Sequence, residues 1–208
     1  MRHGMFITFE GPDGSGKTTV STAVEQRLRE EGYDTIYTRE PGGSDIAEQI
    51  RRVILDPENT AMDARTEALL YAASRRQHLV EVILPALAAG KNVISDRFVD
   101  SSLAYQGCGR GLGVDEVLVI NQFAIEGHMP DRTIYLKISA REGLKRIQSR
   151  EYLDRLDQEK ADFHETVAAG YESLLERFRD RMIVIPADQP KEKVIAEAYL
   201  AVKQLLDE

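Results

Sequence analysis

The chain has 208 residues, 42% hydrophobic and 30% charged, an ordinary globular composition with ample length for one core. Its formal charge of −8 (27 basic against 35 acidic residues) and pI near 5.2 exclude a general nucleic-acid or anionic-membrane surface, so any phosphate site must be a local cluster of cations. One cysteine, Cys108, rules out an intramolecular disulfide and a cysteine zinc site; there is no signal-type apolar core and no apolar run long enough to span a bilayer, so a reducing cytoplasm is the expected setting.

The first element in the chain is Met5-Phe6-Ile7-Thr8-Phe9, an apolar, β-branched and aromatic run that reads as a buried strand. Directly after it comes Gly11-Pro12-Asp13-Gly14-Ser15-Gly16-Lys17-Thr18, which fits the phosphate-binding loop pattern G-x-x-x-x-G-K-[ST]. Glycines let backbone N–H groups turn inward around a nucleotide's phosphates. The Lys17 ammonium reaches the β- and γ-phosphates, and the Thr18 hydroxyl takes a Mg²⁺ ligand position. Thr18 to Gly32 reads as a helix with Val20, Ala23, Val24 and Leu28 on one face, so phosphates would sit at a helix N-terminus. The third glycine of a dinucleotide fingerprint is missing, because Lys17-Thr18-Thr19 follows Gly16.

Further strands are expected at Thr35–Thr38, Asn92–Ser95, Thr133–Leu136 and Met182–Ile185. Helices are expected at Ser44–Leu55, at about Asp63 to Ala89 with a bend or break at Pro85, and at Val114–Gly127, Glu159–Arg177 and Lys191–Leu206. This alternation predicts a three-layer α/β/α fold of the P-loop NTPase type, with a five-stranded parallel sheet, as one domain over residues 1–208. The stretch Ala140–Asp157 carries Arg141, Lys145, Arg146, Arg150 and Arg155 among few large apolar residues. It reads either as a solvated helix face or as a short basic lid.

In open parallel sheets ligands bind beyond the carboxyl ends of the strands. Here those ends are followed by Glu10 and the glycine loop, by Arg39-Glu40-Pro41-Gly42-Gly43 and by Asp96-Arg97-Phe98. The cations Lys17, Arg39 and Arg97 and the carboxylates Asp13, Glu40 and Asp96 should therefore surround one cleft. Asp96, ending an apolar strand, suits the ordering of Mg²⁺ directly or through water. No Asn-Lys-x-Asp guanine motif is present, which argues against a GTPase, and the chain lacks the motifs of a transporter ATPase. A small kinase fits better, because a basic lid can close over two anionic substrates and exclude water. A kinase for another small metabolite, or a nucleotide-binding module without turnover, remains as an alternative; intact Lys17, Asp96 and Arg97 speak against the second.

Phe9–Thr19, Arg39–Gly43, Thr66-Glu67-Ala68-Leu69-Leu70-Tyr71-Ala72-Ala73-Ser74-Arg75-Arg76, Asp96-Arg97-Phe98 and Ser101–Gly107 together resemble bacterial thymidylate kinases, and the similarity continues through Leu153–Glu159 to Ala187-Asp188-Gln189-Pro190. The resemblance implies ATP-dependent phosphorylation of dTMP to dTDP with Mg²⁺, in a homodimer. It assigns Asp13 to the dTMP sugar and phosphate, Arg97 to the dTMP phosphate and the transferring group, and Arg39, with Glu40 beside it, and Arg51 to the acceptor end. It puts Tyr71 where an aromatic ring stacks on thymine, Arg75 on the base edge, and Ser102 and Gln106 beside the base; a guanidinium and an amide can read a pyrimidine edge while a ring covers its face. One departure stands out. Eukaryotic-type members carry an arginine directly after the loop carboxylate, where this chain has Gly14, so Arg150 or Arg155 of the lid is expected to supply the transition-state cation.

Overall fold

The computed structural model describes residues 4–148 and 154–208. Five strands, β1 (Phe6–Glu10), β2 (Thr35–Arg39), β3 (Asn92–Asp96), β4 (Arg132–Lys137) and β5 (Met182–Pro186), form one parallel sheet in the order β2-β3-β1-β4-β5. Each lies within a residue or so of the apolar run that predicted it. The order reverses direction on either side of β1, and in such sheets that switch point opens a crevice at the strand ends.

Alternation along β1 divides its side chains between two cores. Ile7 and Phe9 pack under α1 (Lys17–Glu30) and α9 (Lys191–Asp207), with Val20, Val24, Leu28, Val194, Ala198 and Val202. On the opposite face Phe6 packs into a cluster that includes Leu79, Val99, Leu103, Tyr135 and Tyr171. Thr8 and Glu10 follow Phe6 on that face, so the sheet becomes polar towards its carboxyl edge.

The remaining helices are α2 (Asp45–Leu55), α3 (Ala64–His78), α4 (Leu84–Ala88), α5 (Val99–Ser102), α6 (Val114–Ile125), α7 (Ala140–Ile147) and α8 (Ala161–Arg177). Between α3 and α4 the chain does not break at Pro85. A wider π-helical turn, Leu79–Ile83, carries it through. Proline lacks an N–H and its ring crowds the carbonyl four residues back, here that of Glu81, so a loosened turn lets the helix continue. A second π-helical segment, Leu103–Gly109, extends α5. This helix was not expected from the sequence, because Ser101, Ser102, Gly107 and Gly109 weaken any helical signal there. Of the basic stretch 140–157, α7 is helical, capped by the Ser139 hydroxyl on the Glu142 N–H.

Candidate active site

Beyond Glu10 the chain turns tightly through Gly11, Gly14 and Gly16, all at positive φ (150°, 78° and 88°). At Gly14 the requirement is double: its φ is left-handed, and a Cβ there would overlap the backbone of Gly143 in α7. The glycine that departs from the eukaryotic-type pattern is thus the one against which α7 packs. Lys17 opens α1 and is buried. Its Nζ donates back to the carbonyls of Gly11 and Pro12, 2.9 Å each. Burial, reinforced by the Arg97 charge, lowers its ammonium pKa to about 8. The lysine sits as a cation at the mouth of the loop, where an arriving anion would favour its charged form. Next to it the Thr18 hydroxyl donates to Asp96 Oδ2 at 2.5 Å, while Asp96 Oδ1 is buried with no hydrogen-bond partner.

A cleft of about 270 Å³ runs from this loop across the ends of β2 and β3. Lys17, Thr18, Asp13, Arg39, Glu40, Arg51, Tyr71, Asp96, Arg97 and Gln106 all line it, so most of the side chains expected around one site converge there. Arg97 follows β3 in the left-handed region at φ 73°, a conformation that costs a side-chain-bearing residue of order 1–2 kcal/mol. Its guanidinium pairs with Asp13, donates to Ser101 Oγ at 3.0 Å, and lies 5.1 Å from the Tyr105 ring centre. Burial pushes the Asp13 carboxyl up, but the Arg97 and Lys17 charges outweigh it and hold it below the usual carboxylate range. Arg39 and Arg51 both donate to Pro41 O, at 3.0 and 2.7 Å. Arg39 also pairs with Glu48 at 2.9 Å, whereas Arg51 meets no carboxylate among the described residues. Burial and the adjacent Arg39 charge lower the Arg51 pKa, so this end of the cleft is electrostatically prepared for an anion.

Behind the cleft lie two buried polar networks. Glu40 accepts from Arg75 Nε at 2.7 Å and faces His78 Nδ1 at 3.0 Å, and His78 Nε2 meets the Thr38 hydroxyl at 2.6 Å. Arg75 is 1% exposed and gives its other N–H groups to Ser102 Oγ, Asn121 Oδ1 and Phe98 O. Arg75 and Ser102, expected beside a bound base, lie in the wall behind the cleft and bond to each other. Their polar atoms satisfy one another in the wall, as burial demands. The second network centres on Glu67. It accepts from Gln106 Nε2 (2.9 Å), Arg110 Nη2 (3.0 Å) and Arg155 Nη2 (2.6 Å), and these donors outweigh burial to hold its carboxyl below the usual range. Arg155, expected as a lid cation, pairs with Glu67 and donates from its Nε to the carbonyl of Ile54 at 2.9 Å. Arg150 lies outside the described residues. Tyr105, Ser101, Asp154 and Asp157 also line the cleft; they lie within the segments that carry the family resemblance but were assigned no role there.

A second cleft of about 220 Å³ shares Gly14, Gly16 and Thr19 with the first and adds Ser15, Arg146, Gln189 and Lys191. Arg146 joins α7 to this loop, donating to Gly14 O (3.3 Å) and Ala187 O (3.1 Å). The two clefts thus meet at the phosphate-binding loop, one over α1 and α9 and the other over β2 and β3.

The family model for thymidylate kinase matches residues 9–198. A thymidylate kinase of Geobacillus sp. (strain WCH70) is 57% identical over 206 residues, covering 98% of each chain. Another, from Clostridium novyi (strain NT), is 57% identical and covers 95% of this chain and 97% of its own. Among solved structures, the crystal structure of thymidylate kinase from Ehrlichia chaffeensis superimposes with a TM-score of 0.77 at 32% identity, over 99% of both chains.

Proposed function

The chain belongs to the thymidylate kinase family, and from that premise we propose that it transfers the γ-phosphoryl group of ATP to dTMP, releasing ADP and dTDP. The observation that carries this reading is the first cleft, which gathers Lys17, Thr18 and Asp96 with Arg97, Arg39, Arg51 and the Tyr71 ring.

ATP enters with its phosphates on the loop Gly11–Thr18 and its adenosine in the cleft bounded by Arg146, Gln189 and Lys191. dTMP lies with its phosphate among Arg97, Arg39 and Arg51, its ring against Tyr71 and its edge toward Gln106. Asp13 fixes Arg97 and faces the acceptor. Glu40, held by Arg75 and His78, keeps the Glu40–Gly42 turn in place, and Arg75 and Ser102 support the base end from within the wall. An oxygen of the dTMP phosphate forms the new bond to the γ-phosphorus as the bond from that phosphorus to the ADP oxygen breaks. That oxygen is already ionised at neutral pH, so positioning and charge neutralisation do the work and no histidine base is needed.

Thr18 Oγ1 and the unpartnered Asp96 Oδ1 fit a Mg²⁺ ion. Among the described residues no cluster of three or more His, Cys, Asp or Glu side chains could hold a metal, but Mg²⁺ is satisfied by a hydroxyl, a carboxylate reached directly or through water, and phosphate oxygens. When bound it supplies charge neutralisation on the β- and γ-phosphate oxygens. With Gly14 leaving the loop without an arginine, Arg150 is the first lid cation to consider; Arg155 would act only after leaving Glu67.

The enzyme is proposed as one catalytic domain, cytoplasmic, with neither nucleic acid nor membrane as partner. No helix of the described residues is long and apolar enough to cross a membrane. It is proposed to pair with a second copy through α2, α3 and α6, which pack side by side and carry the exposed Ile46, Val53, Leu69, Val119 and Phe123. A coupled ADP-release assay across dTMP, dUMP, dCMP, dGMP and AMP tests the reaction. dTMP should be preferred and dUMP slow rather than excluded, since one methyl group in an apolar pocket is worth about 1–3 kcal/mol. Faster turnover of AMP or dCMP than of dTMP would sink the proposal.

A further inference from the structure

Glu10 is a carboxylate sealed from solvent at the end of β1, and nothing in the proposed reaction uses it. Among the described residues no cation forms an ion pair with it. Its hydrogen bonds are to the turn that carries Arg97, to α5 behind that turn and to Tyr171 of α8. Oε1 accepts the N–H of Phe98 at 2.7 Å and the N–H of Ser101 at 3.3 Å. Oε2 accepts the Ser101 hydroxyl at 2.6 Å and the Tyr171 hydroxyl at 2.9 Å. Ser101 Oγ, having donated its proton to Glu10, is left to accept from Arg97 Nη1 at 3.0 Å. A hydrogen-bond relay therefore runs from the β1 carboxylate through one hydroxyl to the guanidinium, which in turn meets Asp13 in the glycine loop.

The backbone tells the same story. Arg97 occupies a left-handed conformation at φ 73°, which a residue with a Cβ holds only where its surroundings over-determine it. On its N-terminal side the Arg97 N–H is bonded to Phe9 O at 3.0 Å. On its C-terminal side the next N–H, that of Phe98, is bonded to the Glu10 carboxylate. Phe9 and Glu10 thus grip the residue from both sides, and β1 presents the glycine loop and the Arg97 turn as one unit.

We propose that Glu10 is a positioning residue that holds Arg97 in its left-handed turn and aims its guanidinium at the acceptor phosphate. The proposal rests on the role given to Arg97 above, and two kinds of measurement keep the two apart. The first is the crystal structure of the Glu10→Ala variant. Arg97 is expected to leave the left-handed region and lose its Asp13 contact; an unmoved Arg97 overturns the proposal whatever the activity. The second is kcat for Glu10→Ala, Arg97→Ala, the double variant and Glu10→Gln. Glu10→Ala should lower kcat at least tenfold while changing KM for ATP less than about threefold. In the Arg97→Ala background it should cost less than a further twofold, because the group it acts through is gone. Glu10→Gln, whose carbonyl oxygen can still take both backbone N–H groups, should return kcat to within about threefold of wild type. Multiplying effects of the two alanine substitutions would mark Glu10 as merely structural and overturn the proposal. Should Glu10→Ala fail to fold, the same cycle run on Ser101→Ala, which removes only the relay hydroxyl, decides by the same additivity rule. If Arg97 moves in the variant structure but Arg97→Ala keeps near-normal kcat, the positioning stands and the role of Arg97 in the reaction falls.

Discussion

Lys17 and Glu10 sit seven residues apart and differ in how far sequence reveals them. Lys17 is read from its motif alone, because the loop that presents it is one short local segment. Its Nζ folds back onto the loop carbonyls of Gly11 and Pro12. Lys17→Ala should lower kcat by about 10³-fold or more, the scale of removing a cation from a phosphoryl-transfer site; near-normal turnover in steady-state assays would place the reaction elsewhere. Glu10 carries no such signal, since the N–H groups it binds lie 88 and 91 residues away. Burial and the nearby Asp100 charge raise its carboxyl from 4.5 to about 7. An acid whose folded pKa lies above its unfolded one binds more protons when folded, so its contribution is greatest below about pH 4.5 and is lost as pH rises towards 7. Urea titrations of wild type and Glu10→Gln should therefore show the variant gaining relative stability between those values and none above them. A difference that stays constant across that range would mean that Glu10 does not titrate there.

At the scale of elements, the strands were legible because each is a short β-branched run ended by a charge or a proline, and the parallel sheet then follows from alternation with helices. The helix Val99–Ser102 and its π-helical extension were not legible, since contacts to α6 and α8 override weak local propensity. The packing of α7 was hidden for a similar reason: it depends on Gly14 and Gly143 meeting backbone to backbone. Gly14→Ala should thus cost about 2 kcal/mol or more, from the left-handed φ and the overlap together, lowering Tm by roughly 4–8 °C. A thermal melt unchanged from wild type would show that α7 is free of the loop. Glu67 is the corresponding anchor in α3. Glu67→Ala leaves Arg155 and Arg110 without their shared carboxylate, and breaking a buried pair in this way costs about 3–5 kcal/mol, readable in denaturant titration. A loss under about 1 kcal/mol would mean that Arg155 is free enough to serve as the lid cation after all.

For the whole molecule, the proposed pairing rests on the exposed apolar side chains of α2, α3 and α6, with Phe123 89% exposed. Phe123→Asp should convert a dimer to monomers in sedimentation equilibrium, and a wild-type monomer would remove the proposed pairing. The central claim is that one cleft brings the γ-phosphoryl of ATP to the phosphate of dTMP. The most direct measurement follows ³²P from γ-labelled ATP in the wild type and in the Lys17→Ala and Arg97→Ala variants. The account predicts label in dTDP with wild type, and its appearance slowed by orders of magnitude in both variants. Label that never reaches dTDP, or that reaches it as quickly when both cations are removed, would contradict it.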